Sequence, residues 1–346
     1  MGSILEVFMA VTLNDVAAAA AVSRSTASRA LSGSPLIAEE TRRRVEATAA
    51  RLGYRPNWAA SALRTRQSKL IGLVLNNLIN ASFHTVAEVV QRRAAAEGYQ
   101  VLLCITDADP QREAAFLRTL QDHSADGVIL IGSGKNVTLT NRMLRDGTAV
   151  VNLIRAPNGT ASPSVLAADR DGAHEATRYL LELGHTRIGY IGGAPSTNSG
   201  RERFAGYSEA LREHGLQVDD ALVVQGPFDP EFGRSATSRL LDTAADMTAL
   251  FVANHEAIFG ALPTLVERGV AIPTDLSLIC YEDIPWLRWW RPAITVVDNG
   301  ATELGELAVD LLLQQIQRRS ADGSSTGRTY RVGAQLVRRD SCRSRR

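Results

Sequence analysis

Short hydroxyl and guanidinium side chains are concentrated in one stretch near the amino end of this 346-residue chain. The stretch contains Ser23, Arg24, Ser25, Thr26, Ser28 and Arg29. On a helix that buries Ala27 and Ala30, these residues face outward. Arginine, serine and threonine side chains donate hydrogen bonds to base edges and phosphates in a DNA groove. The pattern therefore indicates a helix that reads nucleic acid, with a purely structural helical hairpin as the alternative.

The elements that position this stretch follow from the apolar spacing of the residues around it. A first helix places on one face Leu13, Val16, Ala17 and Ala20. Ser23 is a good N-cap for the second helix, so a tight turn is predicted between the two. Two short helices joined in this way form a helix-turn-helix. A third helix is predicted over Glu39–Leu52, where Arg42, Arg43 and Arg44 add positive charge.

Charge is distributed unevenly along the chain. Residues 1–69 carry ten Lys or Arg against five Asp or Glu, whereas residues 70–317 carry 19 against 30. A basic head on an acidic body is typical of a protein that binds a polyanion at one end. Residues 318–346 carry nine basic against two acidic side chains. Because this end is also rich in serine and glycine, we predict that its last residues form a mobile, solvated tail.

Strand-like and helix-like stretches alternate between about residues 69 and 337. Runs rich in leucine or β-branched residues recur from 70–75 to 276–280, and most precede a helical stretch. This alternation predicts parallel sheets covered by helices. The length exceeds what one such sheet normally needs, so we predict two α/β lobes. A ligand cleft is expected between them, at the carboxyl ends of the strands.

Catalytic and metal-binding patterns are missing from the sequence. The segment Gly132–Lys135 is too short for a phosphate-binding loop, and the six histidines lack metal-ligand spacing. No apolar run approaches the roughly 20 residues of a membrane span. We therefore predict a cytoplasmic non-enzyme with no cofactor, metal or membrane partner. One alternative is a periplasmic sugar-binding protein, but such a protein would be expected to have a secretion signal in place of residues 1–11 and no helix-turn-helix head. A second alternative is a sugar-modifying enzyme, which would need a nucleophile–base pair that the sequence does not show.

The segment after the third helix carries a family resemblance. It reads Gly53-Tyr-Arg-Pro-Asn57 and continues into a short stretch containing alanine and leucine, up to Thr65. A helix-turn-helix followed by this Gly-Tyr-x-Pro-Asn junction and a short hinge is the order found in the lactose-repressor (LacI/GalR) family of bacterial transcription regulators, which the chain resembles. The resemblance spans about residues 12–317 and includes Leu183–Gly193, Arg203–Tyr207, Val252–Asn254 and Tyr281–Ile284.

The resemblance implies a domain plan and partners. Residues 1–11 are a leader, 12–56 an all-α helix-turn-helix domain, and 57–68 a hinge helix and linker. Residues 69–337 are a two-lobed core like that of periplasmic binding proteins, and 338–346 a basic tail. The protein is expected to bind double-stranded operator DNA as a homodimer, with a tetramer as the alternative. Thr12 and Asn57 join the DNA-binding residues, while Leu63 enters a base step as a wedge beside Arg64 in the minor groove.

The resemblance also implies a small-molecule effector in the cleft. The matching positions are Asn80, Phe83, Arg155, Ser199, Arg203, Phe228, Asn254, Glu282 and Asn299. A sugar or sugar derivative is expected, with a less polar or an anionic metabolite as the alternative. Ile154 stands where the family has an acidic residue, Ser82 where it has an aromatic residue or proline, and Glu282 where it has Asp.

Two positions of the head and one of the hinge also depart from the family pattern. Ala21 replaces the usual Gly or Asn of the turn, Ala38 the usual Ser cap, and Ser61 an Arg of the hinge. A missing cap or a left-handed alanine costs about 1 kcal/mol. We therefore expect a less stable isolated head.

Overall fold

The computed structural model describes residues 11–54, 67–318 and 327–345. The chain divides into two compact units, Met1–Ser68 and Lys69–Arg346. Within the described ranges, no helix combines the length and apolar character needed to cross a membrane.

Between residues 11 and 54, the first unit contains three helices: α1 (Leu13–Ala19), α2 (Arg24–Leu31) and α3 (Glu39–Leu52). They enclose a small apolar core in which Val16, Ala27 and Val45 are fully buried. Because most of these side chains are short, the helices approach closely and leave little space between them. The helix-turn-helix and the third helix agree with the sequence prediction.

Two residues of this unit that differ from the family pattern, Ala21 and Ala38, are in positions that reduce its stability. Ala21 lies in the turn with φ 51°, a left-handed conformation that costs a non-glycine residue roughly 1–2 kcal/mol. Ala38 precedes α3 and provides no side-chain hydrogen bond to its first turn. The third departure, Ser61, lies outside the described residues.

The first lobe of the second unit is a parallel sheet with helices on both faces. Its strands are β1 (Leu70–Leu75), β2 (Gln100–Ile105), β3 (Gly127–Leu130), β4 (Ala149–Leu153), β5 (Ser164–Ala167) and, from near the chain end, β11 (Thr329–Val332). Their order is β11-β5-β4-β3-β1-β2, and every pair is parallel. Its helices are α4 (Ala81–Ala96), α5 (Pro110–Asp122), α6 (Val137–Arg145) and α12 (Ala301–Arg318).

The second lobe repeats this architecture. Its strands are β6 (Ile188–Gly193), β7 (Val223–Gly226), β8 (Ala249–Val252), β9 (Ser277–Tyr281), β10 (Thr295–Asp298) and β12 (Gln335–Val337). They lie in the order β12-β10-β9-β8-β6-β7, and only the edge strand β12 is antiparallel to its neighbour. Its helices are α7 (Asp169–Glu182), α8 (Asn198–Glu213), α9 (Pro230–Thr243), α10 (His255–Glu267) and α11 (Pro285–Trp289).

The chain passes between the lobes three times: from β5 to α7, from β10 to α12, and from β11 to β12. The third passage places β11 in the first sheet and β12 in the second. Each lobe therefore contains segments from distant parts of the sequence. The predicted two-lobed α/β fold is confirmed, and polar residues after β1, β8 and β9 lie where the lobes meet.

The end of the chain differs from its prediction. Residues 338–345 pack on the second lobe, where Ser341 Oγ donates to the carbonyl of Leu278 (2.6 Å) and accepts the amide of Thr295 (2.7 Å). His185 Nε2 also lies 3.1 Å from a carbonyl oxygen of this tail. The expectation of a mobile, solvated end is wrong for these residues, because their backbone and hydroxyl groups pair with groups of the second sheet.

Candidate functional site

The outer face of α2 presents the side chains that the sequence singled out. Arg24, Ser25 and Arg29 are exposed, and Thr26 and Ser28 are half-buried. The opposite face buries Ala27 and Ala30 against the core of the head. Donors of several lengths therefore lie along one exposed helical face, an arrangement suited to a major groove.

Two of the predicted DNA-binding hydroxyls also serve as helix caps. Ser23 Oγ accepts the amide of Thr26 at 3.0 Å and lies 2.8 Å from the hydroxyls of Ser25 and Thr26. Thr12 forms a capping box with Asp15, whose carboxylate accepts from the Thr12 hydroxyl at 2.7 Å and from its amide at 2.8 Å. Both caps are exposed, so they fix the start of their helices while facing solvent. Asn57, Leu63 and Arg64 lie outside the described residues.

The three consecutive arginines of α3 have different surroundings. Arg43 pairs with Glu39 one turn earlier. Arg42 is half-buried, and its Nη2 lies 3.5 Å from the carbonyl of Ile37. Arg44 is exposed, and of the three it is the best placed to meet a phosphate.

In the second unit, the amino end of α4 contacts the start of α10 on the other lobe. Asn80 Oδ1 accepts the amide of Phe83 (3.1 Å) and thereby caps α4. The Nδ2 of the same side chain donates to Glu256 Oε1 at 2.9 Å. The backbone amide of Ala81 donates to His255 Nε2 at 3.2 Å. Two hydrogen bonds thus join successive residues of the first lobe to successive residues of the second.

Ser82, the next residue of α4, contacts the acid at the end of β9. Its hydroxyl donates to Glu282 Oε2 (3.0 Å) and accepts from Asn299 Nδ2 (3.0 Å). Asn299 lies in the second passage between the lobes, directly after β10. All three side chains are buried. The position that departs from the family pattern, Ser82, is therefore central to this contact.

Arg203, from the first turns of α8, lies at the centre of the buried charges. Its Nε donates to Asp169 (2.7 Å), its Nη1 to the Ala253 carbonyl (2.8 Å) and its Nη2 to Glu282 (3.3 Å). The guanidinium carbon also lies 3.7 Å from the ring centre of Tyr281. Burial would lower the pKa of Arg203, but Asp169, Tyr281 and Glu282 outweigh this and raise it. The residue remains charged within its own lobe.

Glu282 is ionised for a related reason. Burial would raise the pKa of this carboxyl, but His255, Arg203 and Ser82 together lower it to about 2. Its backbone has φ 79°, so the residue turns sharply out of β9 and directs its carboxylate toward these partners. The arrangement holds a fixed negative charge at the junction of the lobes.

The remaining predicted effector residues are more dispersed. Phe83 belongs to the apolar core of the first lobe, and Asn254 caps α10 by accepting two backbone amides. Phe228 is half-buried, and its ring covers the carboxyl end of β6 at Gly193. Two further residues are half-buried: Arg155, which donates to the Gly132 carbonyl (2.9 Å), and Ser199, in the first turn of α8.

Comparison with known proteins identifies the family. Residues 12–57 match bacterial regulatory proteins of the lacI family, and residues 177–342 match the periplasmic binding protein-like domain. The chain is 32% identical over 308 residues to the HTH-type transcriptional repressor PurR of Serratia proteamaculans, which covers 88% of this chain and 90% of that protein. The chain belongs to the lacI family. It is a DNA-binding regulator of transcription, as the sequence predicted.

Solved structures of the lacI family extend the likeness to both units. The lac repressor dimer bound to operator and the anti-inducer ONPF is 25% identical, with a TM-score of 0.83, covering 97% of this chain and all of that chain (100%). The complex of the transcriptional regulator CelR with cellobiose is 27% identical, with a TM-score of 0.72, covering 96% of this chain and 99% of that one. The predicted fold class is thus that of the lacI family.

Sequence reasoning missed three charged or titratable residues of the buried cluster in this lacI-family chain. His255 and Glu256 directly follow Asn254, so their position just after a predicted strand was a usable signal. Asp169 follows β5, a four-residue strand that the sequence analysis did not predict. Its pairing with Arg203 could not be inferred from spacing alone.

Proposed function

We propose that this protein is a repressor that binds operator DNA as a homodimer. Binding of a sugar or sugar derivative in the cleft between the lobes either lowers or raises its affinity for the operator. The observation that carries the proposal is the buried polar network in which Ser82 of the first lobe and Arg203 of the second both contact Glu282. A ligand that exchanges hydrogen bonds with this network changes the relative free energy of open and closed lobes. In this proposal, residues 12–56 form the DNA-binding domain, 57–68 the hinge and linker, and 69–337 the effector-binding core.

Recognition of operator DNA is assigned to α2. Arg24, Ser25 and Arg29 are exposed on a helix whose start is fixed by the Ser23 cap. Base contacts from such side chains give sequence preference, and exposed Arg44 of α3 adds charge that favours any DNA sequence. The hinge residues Asn57, Leu63 and Arg64 are proposed to continue the contact into the minor groove.

A second copy of this chain is proposed to cover the apolar surface of the core. Strand β2 is an edge of the first sheet, and its Leu102 and Leu103 are 40% and 41% exposed. In the second lobe, Phe259 and Trp289 are also exposed. Exposed edge strands with apolar side chains favour association unless another chain covers them. A dimer covers these residues and supplies the two heads that a two-part operator requires.

Hydroxyl-rich ligands suit the polar groups of the cleft better than anionic ones. The guanidinium of Arg203 already contacts two carboxylates, Asp169 and Glu282. An anion placed beside Arg203 would therefore also lie close to these two negative charges. Sugar hydroxyls, which donate and accept, can pair with Glu282 and with the amides of Asn80 and Asn299. The solved CelR complex contains cellobiose, which supports a sugar as the first ligand to test.

A two-step experiment tests the proposed function. Full-length protein is used to select bound fragments of genomic DNA at fixed salt, and the selected operator is titrated with and without neutral sugars. Specific binding with Kd about 10⁻⁸ M or tighter, at least about 10³-fold above non-specific DNA, is expected. Selection of no common sequence would contradict operator recognition. An unchanged operator Kd across neutral sugars, combined with a shift by an anionic metabolite, would contradict the sugar assignment.

A further inference from the structure

His255 is a fully buried residue that lies between the two lobes. It is the first residue of α10 and contacts Glu282 through Nδ1 and the Ala81 amide through Nε2. Glu282 belongs to the same lobe as His255, whereas Ala81 begins α4 of the other lobe. One imidazole ring therefore connects the buried acid of the cleft to the opposite lobe.

The hydrogen bonds determine the protonation state of this ring. An amide N–H donates to Nε2, so Nε2 must carry a lone pair and no hydrogen. The ring proton then lies on Nδ1, which donates it to the carboxylate of Glu282. A doubly protonated ring presents N–H at both nitrogens and cannot accept the Ala81 amide. Protonation of the ring therefore preserves the His255–Glu282 hydrogen bond within the second lobe but removes the Ala81–His255 hydrogen bond between the lobes.

The groups that face His255 determine where this change occurs. Glu282 contacts it from the end of β9, Glu256 follows it on α10, and Arg203 approaches from α8 with Asp169 behind it. Neutral Asn80, Ser82 and Asn299 complete the surroundings from α4 and the second passage between the lobes. Burial would lower the pKa of His255, but Glu282 and Glu256 outweigh this and raise it above its usual value. The ring therefore takes up its second proton at a higher pH than a free imidazole does.

We propose that His255 is a positioning residue that orients Glu282. Only in its neutral form does it also accept the hydrogen bond that joins the second lobe to Ala81 at the amino end of α4. The contact between the lobes is then strongest at alkaline pH. It loses the Ala81–His255 hydrogen bond as the ring takes up a proton, while the Asn80–Glu256 and Ser82–Glu282 hydrogen bonds remain. Lobe closure is thereby linked to pH as well as to ligand. The consequence for effector control rests on the function proposed above, whereas the contact itself does not.

The test uses the full-length protein without added ligand. ¹⁵N-histidine NMR between pH 8.5 and 5 reports the tautomer of His255, and hydrogen exchange corrected for intrinsic rate reports protection of the Ala81 amide. We expect the Nδ1–H tautomer at high pH, and roughly a fivefold or greater loss of Ala81 protection as the ring protonates. An Nε2–H tautomer at high pH, measured on the unaltered protein, would overturn the proposal even if every variant failed to fold.

Two variants sharpen the test. His255→Asn keeps a donor near Glu282 but removes the acceptor for Ala81, so Ala81 protection is expected to be low at every pH. His174→Gln is the matched control, because His174 pairs with Glu213 (2.7 Å) inside the second lobe alone. Equal Ala81 protection in the control and in His255→Asn across the pH range would also overturn the proposal. Since no sugar is added, failure of the sugar assignment leaves this result unaffected.

Discussion

Arg203 and Asp169 form an ion pair whose side chains are only 4% and 3% exposed, with Nε and Oδ1 2.7 Å apart. Asp169 is the first residue of α7, and Arg203 lies in the second turn of the neighbouring helix α8. The guanidinium that the family resemblance places at an effector position therefore also binds a buried carboxylate within the second lobe. Its two roles can be separated by experiment.

Replacing Arg203 with Ala is expected to lower the free energy of unfolding by about 3–5 kcal/mol, because two buried carboxylates lose their cation. Chemical denaturation measures the change. Arg201→Ala is the control, since Arg201 is exposed and donates only to backbone carbonyls two turns or less away. Equal stability of the two variants would show that Arg203 does not hold the lobe, and an effector response that persists in a folded Arg203→Ala protein would exclude it as a ligand residue.

Replacing Arg24 or Ser25 with Ala is expected to change which operator is preferred, by about 1–3 kcal/mol for each lost base contact. A base-by-base operator scan measures this. Arg44→Ala is the matched comparison, because loss of a phosphate contact weakens all sequences alike and reduces the salt dependence. If Arg24→Ala and Arg44→Ala gave the same uniform loss, α2 would not be the reading helix.

Replacing Leu63 with Ala is expected to reduce operator bending and specific affinity while the core remains folded. Circularly permuted DNA fragments in a gel shift measure the bend, and the melting temperature of the core is the control. An unchanged bend angle would exclude a wedge at this position, which lies outside the described residues.

Replacing Glu282 with Gln is expected to remove an acid-dependent part of the stability. Its folded-state pKa is lowered to about 2, so the ionised carboxylate contributes stability above its unfolded-state pKa. That contribution is lost as pH falls from about 4.5 to about 2, and amounts to about 3 kcal/mol. Unfolding curves across this range measure it, with Glu231→Gln at a fully exposed ion pair as control. Parallel pH profiles of the unaltered protein and Glu282→Gln would contradict the assignment.

Local pattern was sufficient for the head and for most of the sheets. The apolar spacing within each segment, such as that of Val16, Ala17 and Ala20 in the first, predicted three helices, because a helix that buries one face must repeat apolar residues at its own period. Strands such as β1 and β4 are long and apolar enough to be recognised. β5, β7, β10, β11 and β12 were not predicted. Each has three or four residues and, unlike the equally short β3 and β8, includes at least one polar side chain.

The contacts at the junction between the lobes could not be predicted from the sequence. Ser82 and Glu282 are 200 positions apart, and Ala81 and His255 are 174 apart. No local period connects such residues, since their contact depends on how two separately folded sheets meet. Family resemblance found Glu282 and Arg203 as cleft positions, but it did not show that they contact each other or that His255 connects them to α4.

The three passages between the lobes have a consequence for synthesis on the ribosome. Leu304, Ala308 and Leu312 of α12 belong to the apolar core of the first lobe, although they follow almost the whole second lobe in the chain. A nascent chain that ends near residue 300 therefore has every strand of the first sheet except β11, but lacks α12, which packs beside α4 in the apolar core of that lobe. The first lobe to emerge is completed only after the second has been translated, and truncation within α12 is expected to unfold the lobe that was made first.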